Sequence, residues 1–420
     1  MKYSEYPSYK DSGVEWLGEI PSEWNRVKTA YLFSAAMGQT ILKEDLIDDG
    51  KYPVYSATAE DKFFGRINQA TVKLDKNDIV IPARGNSIGY VKLVKDTATT
   101  TQTTIYCKPL THTTNTKYVY YYMLGLKANL FYFVQTAIPQ ITVSEVLSNP
   151  LLMPPLQEQQ TIANYLDKAT AKIDTLIEKQ TSLIELLKEK RQAVISTAVT
   201  RGLDNAVTMK DSRVEWLGEI PEHWAVYRIG NLFTEAVEYG KTDLPILRVS
   251  IHDGVSDREY SSEEMDRKVA RSEDRSKYKC VEPDDLVYNM MRAWQGGFGA
   301  VKVNGLVSPA YVVARPMKAM STSYIELLLR TIPATEELRR YSRGITDFRL
   351  RLYWSEFKNI KVVLPPKEEI DEILVYITNQ SNKIDSLVKK ADRAIVLLKE
   401  RRIALISAAV SGKIDVREEK

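Results

Sequence analysis

The stretch that decides the fold is PPLQEQQTIANYLDKATAKIDTLIEKQTSLIELLKEKRQAVISTAV, residues 154–199, which opens on a proline pair and runs on without glycine or further proline. Its apolar residues Leu166, Ile173, Leu176, Ile177, Leu183, Leu187, Val194 and Ala198 keep to one side. Steps built from three and four are the periodicity of a helix that presents a seam to another helix. A helix of about 45 residues spans roughly 67 Å at 1.5 Å per residue, longer than a globular core needs. The passage returns from Pro365 and Pro366 to Val410, with Ile373, Ile377, Ile384, Leu387, Val388, Ala394, Leu398, Leu405 and Ala409 as its seam. Lys172, Ile173, Asp174 and Leu176 match Lys383, Ile384, Asp385 and Leu387 at an offset of 211. Leu186, Leu187, Lys188, Glu189 and Arg191 match Leu397, Leu398, Lys399, Glu400 and Arg402 at the same offset. Two related copies point to a coiled-coil pair of spacers.

A second repeat widens the duplication. The leader DSGVEWLGEIPSEW at 11–24 returns as DSRVEWLGEIPEHW at 211–224, so each copy comprises a leader, a globular middle and a long helix. The boundaries fall at 1–153 for a first domain with its leader, 154–204 for the first helix, 205–364 for a second domain and 365–420 for the second helix and tail. Trp16, Leu17, Ile20 and Trp24 are expected to pack the leader onto a core. The middles diverge almost completely, which implies two different specificities on one scaffold. Both carry runs rich in Val, Ile, Thr and Tyr broken by Gly, Asn and Asp. Ile79–Ile81 leads into Arg84–Gly89, and Leu286–Tyr288 leads into Arg292–Gly299, each a strand, a glycine-rich turn bearing arginine and a returning strand. Helical segments follow at 117–134 and 323–340. Each middle reads as a mixed α/β domain with a twisted sheet.

Composition sets the class. The 420 residues are 44% hydrophobic and 27% charged, enough for two or three domains. A net charge of +3 permits nucleic-acid binding without arguing for it. Cys107 and Cys280 stand alone, so neither a zinc set nor a disulfide framework is expected, and a reducing cytoplasm is the default. No export segment or membrane span is expected.

Catalytic machinery does not assemble. Met153 and Leu364 precede the proline pairs where an adenine-methylating motif needs Asn or Asp. Gly240, Lys241 and Thr242 resemble the end of a phosphate loop, but Glu235 stands where its first glycine belongs. Pro283 and Asp284 lack the partners of a nuclease carboxylate set, and His112, His223 and His252 are scattered, so no catalytic and no metal residue is assigned. Binding is better supported, because turns presenting Arg, Asn, Gln and Ser from a rigid sheet reach base edges. The candidates are Arg84, Gly85, Asn86 and Ser87 on one loop of the first domain, with Gln140 and Thr142 on another. In the second domain they are Asn289, Arg292, Trp294 and Gln295, then Arg343, Thr346 and Arg349. The basic, aromatic run from Arg339 to Trp354 suits phosphates and stacking. The tyrosines Tyr118, Tyr120, Tyr121 and Tyr122 fit one helix's core and surface better than a stacking platform.

Together, the leaders, the strand and turn at 78–89, and the passage from Gln140 through Pro154, Pro155, Glu158 and Gln159 resemble the specificity subunit of type I restriction–modification systems. The second half departs only after its proline pair, where Lys367, Glu368 and Glu369 replace Leu156, Gln157 and Glu158. The resemblance implies two mixed α/β target-recognition domains separated by two long antiparallel coiled-coil helices in a circular pseudo-twofold repeat. It implies a non-catalytic reader of a split DNA sequence in a prokaryotic cytoplasm. It further implies two modification subunits using S-adenosylmethionine and two restriction subunits using ATP and magnesium, with no cofactor on this chain. Partner contacts are expected on exposed helix faces at Lys188, Arg191, Lys399 and Arg402. The rival reading is a coiled-coil tether carrying two protein-binding domains.

Overall fold

The long helices run Leu156–Arg201 and Lys367–Val410. The computed structural model describes residues 4–60, 62–111, 113–131, 139–239, 241, 243–251, 254–259, 274–345 and 349–417. Proline has no N–H to leave unpaired at a helix entry, and here the Pro155 carbonyl accepts from the N–H groups of Glu158 and Gln159 at 2.9 and 3.0 Å. Both helices stop at a left-handed glycine, Gly202 at φ 79° and Gly412 at φ 75°, where a side chain would be strained.

The seam differs from the one drawn through apolar residues alone. Leu166, Ile173, Ile184, Leu187 and Ala198 are buried on the first helix, but Leu176 and Leu183 are 46% and 42% exposed. On the second, Ile373, Ile377, Ile384, Ala391, Ile406 and Ala409 are buried and Leu387 is 48% exposed. Continuing the steps of three and four from Ile184 and Leu187 lands on Arg191, and Arg402 is its counterpart. Arg191 and Arg402, expected on exposed helix faces, are instead half-buried beside the seam. The Arg191 guanidinium pairs with the Asp385 carboxylate, and Arg402 Nε donates to Asp174 Oδ1 at 2.9 Å. Lys188 and Lys399 remain exposed.

The chain divides into two compact units, Met1–Thr181 with Asp392–Lys420, and Ser182–Ala391. In the first, Ile162, Ala163 and Leu166 near the start of one helix share a core with Ile406, Ala409 and Val410 at the end of the other. In the second, Ala198 and Val199 share a core with Ile370, Ile373 and Ile377. Within each unit, then, the two helix segments are antiparallel.

Each unit carries a four-stranded antiparallel sheet of the same connectivity. The first is built from β1 (Phe33–Met37), β2 (Ile79–Pro82), β3 (Lys92–Leu93) and β4 (Thr104–Pro109) in the order β1-β4-β2-β3. The second uses β5 (Phe233–Glu235), β6 (Leu286–Asn289), β7 (Phe298–Ala300) and β8 (Tyr311–Pro316) in the order β5-β8-β6-β7. Of the inner strands, β2 and β6 are buried on both faces: Ile79, Val80 and Ile81 are fully covered, as are Leu286, Val287 and Tyr288. Continuous apolar runs are what such strands require. Around the sheets the units differ. The first adds three strands at Tyr52–Tyr55, Gly65–Ile67 and Thr99–Thr100, and the second adds two separate strand pairs.

Helices close each sheet onto the long helices. In the first unit α1 spans Thr116–Gly125, and the Tyr118 hydroxyl donates to the Leu152 carbonyl at 2.9 Å. Tyr118, Tyr121 and Tyr122 are buried, as a core role demands. In the second unit the single helix expected over 323–340 is two, α2 (Thr322–Leu329) and α3 (Ile332–Tyr341), because Pro333 can enter a helix only in its first turn. The Tyr324 hydroxyl donates to the Val199 carbonyl at 2.8 Å.

The leaders form matching hairpins, Tyr9–Asp11 with Glu19–Pro21 and Met209–Asp211 with Glu219–Pro221, in the same register. Each ends in a buried tryptophan that reaches the start of a long helix. Trp24 Nε1 donates to Glu158 Oε1 and Trp224 Nε1 to Glu369 Oε2, both at 3.0 Å. Replacing Trp24 with Phe leaves a carboxylate that is only 6% exposed short of a donor, which should cost about 1–3 kcal/mol in chemical denaturation. Trp224→Phe should cost less, because His223 Nε2 also lies 2.7 Å from Glu369 Oε2.

Candidate nucleic-acid interface

In the first unit β2 hands the chain through buried Ala83 to Arg84, and Gly85 takes φ 71° to open the short turn Gly85–Ser87. That turn does not stand alone. Gly85 N–H donates to the Pro139 carbonyl and Ile141 N–H to the Ala83 carbonyl, each at 3.0 Å, so that Arg84 and Gln140 lie side by side. Two loops that the sequence treats separately are one surface. Arg84, Asn86 and Gln140 are exposed there.

Two neighbours face other tasks. Ser87 is buried at 9% exposure, its hydroxyl 3.4 Å from the Arg84 carbonyl. Thr142 begins the short helix Val143–Ser148 with a capping box: its Oγ1 accepts from Glu145 N–H at 3.2 Å while Glu145 Oε2 accepts from Thr142 N–H at 2.6 Å. Both side chains therefore serve the loop's own shape, where the sequence suggested outward contacts.

The second unit repeats the construction with other residues. Leu352 N–H donates to the Met290 carbonyl at 3.0 Å, bringing the hairpin closed by Arg343 and Arg351 beside the turn after β6. The Asn289 carboxamide oxygen accepts from Met291 N–H at 3.0 Å and so shapes that turn. Arg292 Nη1 donates to Gln295 Oε1 at 2.8 Å, and both residues are exposed. The Arg339 guanidinium lies 5.5 Å from the centre of the half-buried Trp294 ring. Arg343 and Arg349 are exposed, and Arg343 pairs with Glu356. Thr346 lies outside the described residues, as do Gly240, Thr242, His112 and His252. Glu356 escaped the sequence reading, since no local pattern links it to Arg343.

The acidic residues before β2 and β6 are structural ties. Asp78 Oδ2 accepts from Asp75 N–H and Asp285 Oδ2 from Glu282 N–H, both at 2.9 Å. Burial lifts the Asp78 carboxyl above its ordinary value, with the Asp75 N–H and Lys108 acting against it. Asp285, 1% exposed, holds Arg315 at 2.9 Å, and this bond, with a second to Glu238, raises the guanidinium above its ordinary value against the effect of burial. No group of three or more His, Cys, Asp or Glu among the described residues is arranged to hold a metal ion, and no helix among them is long and apolar enough to cross a membrane.

Residues 21–186, which include the Arg84 and Gln140 loops of the first unit, match the type I restriction modification DNA specificity domain. The chain is similar to type I restriction–modification specificity subunits. The Escherichia coli EcoBI specificity subunit is 27% identical over 64% of this chain and 60% of its own length, so the chain matches less than two thirds of that relative. The HsdS subunit from Thermoanaerobacter tengcongensis shares the fold at a TM-score of 0.51 and 14% identity, over 94% of this chain and 98% of that one. A chain from a type I R-M system shares it at 0.59 and 15% identity, over 93% and 98%. These structural likenesses concern fold alone.

The geometry separates shape from contact within the specificity domain. Thr142→Ala should lower stability by about 1 kcal/mol through loss of the cap, whereas Gln140→Ala should leave it within about 0.5 kcal/mol of the parent. Urea unfolding of the two variants checks this.

Proposed function

We propose that this chain is the non-catalytic, sequence-specific DNA-binding subunit of a type I restriction–modification complex. Each unit reads one half of a bipartite target, and the long helices set the gap between the halves in a circular pseudo-twofold repeat. The observation that carries the proposal is the matched placement of two unlike loop pairs. Arg84 with Gln140, and Arg292 with the Arg343 hairpin, project from the same end of equivalent strands, as base-reading side chains on a rigid sheet must. The exposed Lys188 and Lys399, with the outward Leu176, Leu183 and Leu387, supply helix surface for two modification subunits. Those would bring S-adenosylmethionine, and two restriction subunits would bring ATP and magnesium, in the cytoplasm of a prokaryote.

The expected behaviour is duplex binding that weakens steeply as salt rises. Arg84→Ala should relax selection in one half of the target and Arg292→Ala in the other, each by about 1–3 kcal/mol. Selection from random duplexes with the complex of this chain and its modification subunit reads both effects. If both variants relaxed the same half, or if no duplex were selected, the proposal would fail; a protein-binding tether gives the second result.

A further inference from the structure

Arg84 has a second neighbour, which no sequence motif marks. Ala83, whose carbonyl accepts from Ile141 N–H, gives its own N–H to the Thr103 carbonyl at 3.0 Å. The turn between the strand Thr99–Thr100 and β4 therefore joins the surface that holds Arg84 and Gln140. It is a tight turn, closed by Thr104 N–H on the Thr101 carbonyl at 3.0 Å, with Gln102 and Thr103 at its corner. The segment after β1 lies against it: Gly38 N–H donates to the Thr104 carbonyl and Gln39 N–H to the Thr100 carbonyl, each at 3.0 Å. A side chain at position 38 would collide with the Thr101 carbonyl oxygen, so glycine is what permits this approach. Within that frame the Gln102 amide has one orientation. Ile41 N–H donates to Gln102 Oε1 at 3.3 Å. A backbone N–H offers only a hydrogen, so the carbonyl end of the amide turns to Ile41 and the NH2 end away from it. Among the described residues Nε2 has no hydrogen-bond partner and is not one of the buried side-chain atoms left without one. The half-buried Gln102 thus presents two N–H donors to solvent.

The second unit carries the same turn without the amide. Tyr311 N–H donates to the Ser308 carbonyl at 2.9 Å. β8 pairs with β6 through Tyr311 and Asn289, as β4 pairs with β2 through Thr104 and Pro82. The Met290 carbonyl accepts from Leu352 N–H at 3.0 Å, as the Ala83 carbonyl accepts from Ile141 N–H. The two turns therefore align residue for residue, and Pro309 and Ala310 stand where the first unit has Gln102 and Thr103. A proline and an alanine close the turn as well, so the scaffold does not call for an amide at that corner.

On the duplex reading proposed for the Arg84 surface, which this role presupposes, we propose that Gln102 is a third base-contacting residue of the first unit and that it reads as a hydrogen-bond donor. In the major groove a donor is met by N7 or O6 of guanine, N7 of adenine or O4 of thymine, and is refused by the amino group of cytosine. Glutamine ordinarily meets adenine with both ends of its amide. Here the carbonyl end is turned in to Ile41, so the NH2 alone faces the groove and refusal of cytosine is its signature. Pro309 offers no such donor, which confines the effect to one half of the target.

Selection from random duplexes by the complex of this chain with its modification subunit tests it, with Gln102→Glu and Gln102→Met beside the parent and Arg84→Ala. Glutamate keeps an acceptor for Ile41 N–H and sets a second acceptor where the NH2 was; methionine keeps the length and removes the donors. At one position of the first half-target the parent should disfavour cytosine. Gln102→Met should weaken that discrimination about tenfold, and Gln102→Glu should turn it into a preference for cytosine, with the second half unchanged in both. An amide that only braces Ile41 gives the reverse order: Gln102→Glu selects like the parent and Gln102→Met alone differs. That result, a shift in the second half, or unchanged selection by both variants while Arg84→Ala relaxes the first half, overturns the role of Gln102 and leaves the duplex reading standing. If the parent selects no duplex, the duplex reading itself falls and this contact with it.

Discussion

Neither unit closes its core from its own continuous stretch of helix. Each long helix gives its first and second halves to different units, and the antiparallel segments meet through a seam of steps of three and four. A single helix of this length has no stability of its own in water beyond what its apolar face gains by being covered. The seam is thus the condition for everything else: the sheets dock on it through Tyr118 and Tyr324, and the leaders lock onto its ends through Trp24 and Trp224.

The reciprocal pairs Arg191 with Asp385 and Arg402 with Asp174 show how the seam is kept in register. Each helix contributes one acid and one base at matching positions. Ion pairs this exposed add little to stability, but a slipped register would leave arginines facing leucine and isoleucine. Their value lies in excluding wrong alignments, the use best attested for polar groups in coiled coils.

Much of this was legible in the residues, and the rest was not for identifiable reasons. The helices announced themselves because periodicity and duplication are local signals. Heptad positions filled by arginine did not, because a seam traced through apolar residues skips them and lands on Leu176 and Leu183 instead. The strands and turns at Arg84 and Arg292 were readable from Val, Ile and Gly patterns. That Arg84 lies against Gln140 was not, since it depends on main-chain bonds from Gly85 to Pro139 and from Ile141 to Ala83, which side-chain identity does not encode. The backbone bonds of Ser87 and Thr142 were hidden for the same reason: a hydroxyl in a turn serves the backbone as readily as a ligand.

The pairing of Ser4 with Asp415 has a consequence for the order of assembly. The second unit is one uninterrupted span, so a ribosome delivers all of it before translation is over, whereas the first waits for residues 392–417 to emerge. Until then its hydrophobic residues, made earliest, stay without their last cover. Of the two units, the one whose synthesis begins first is the one completed last.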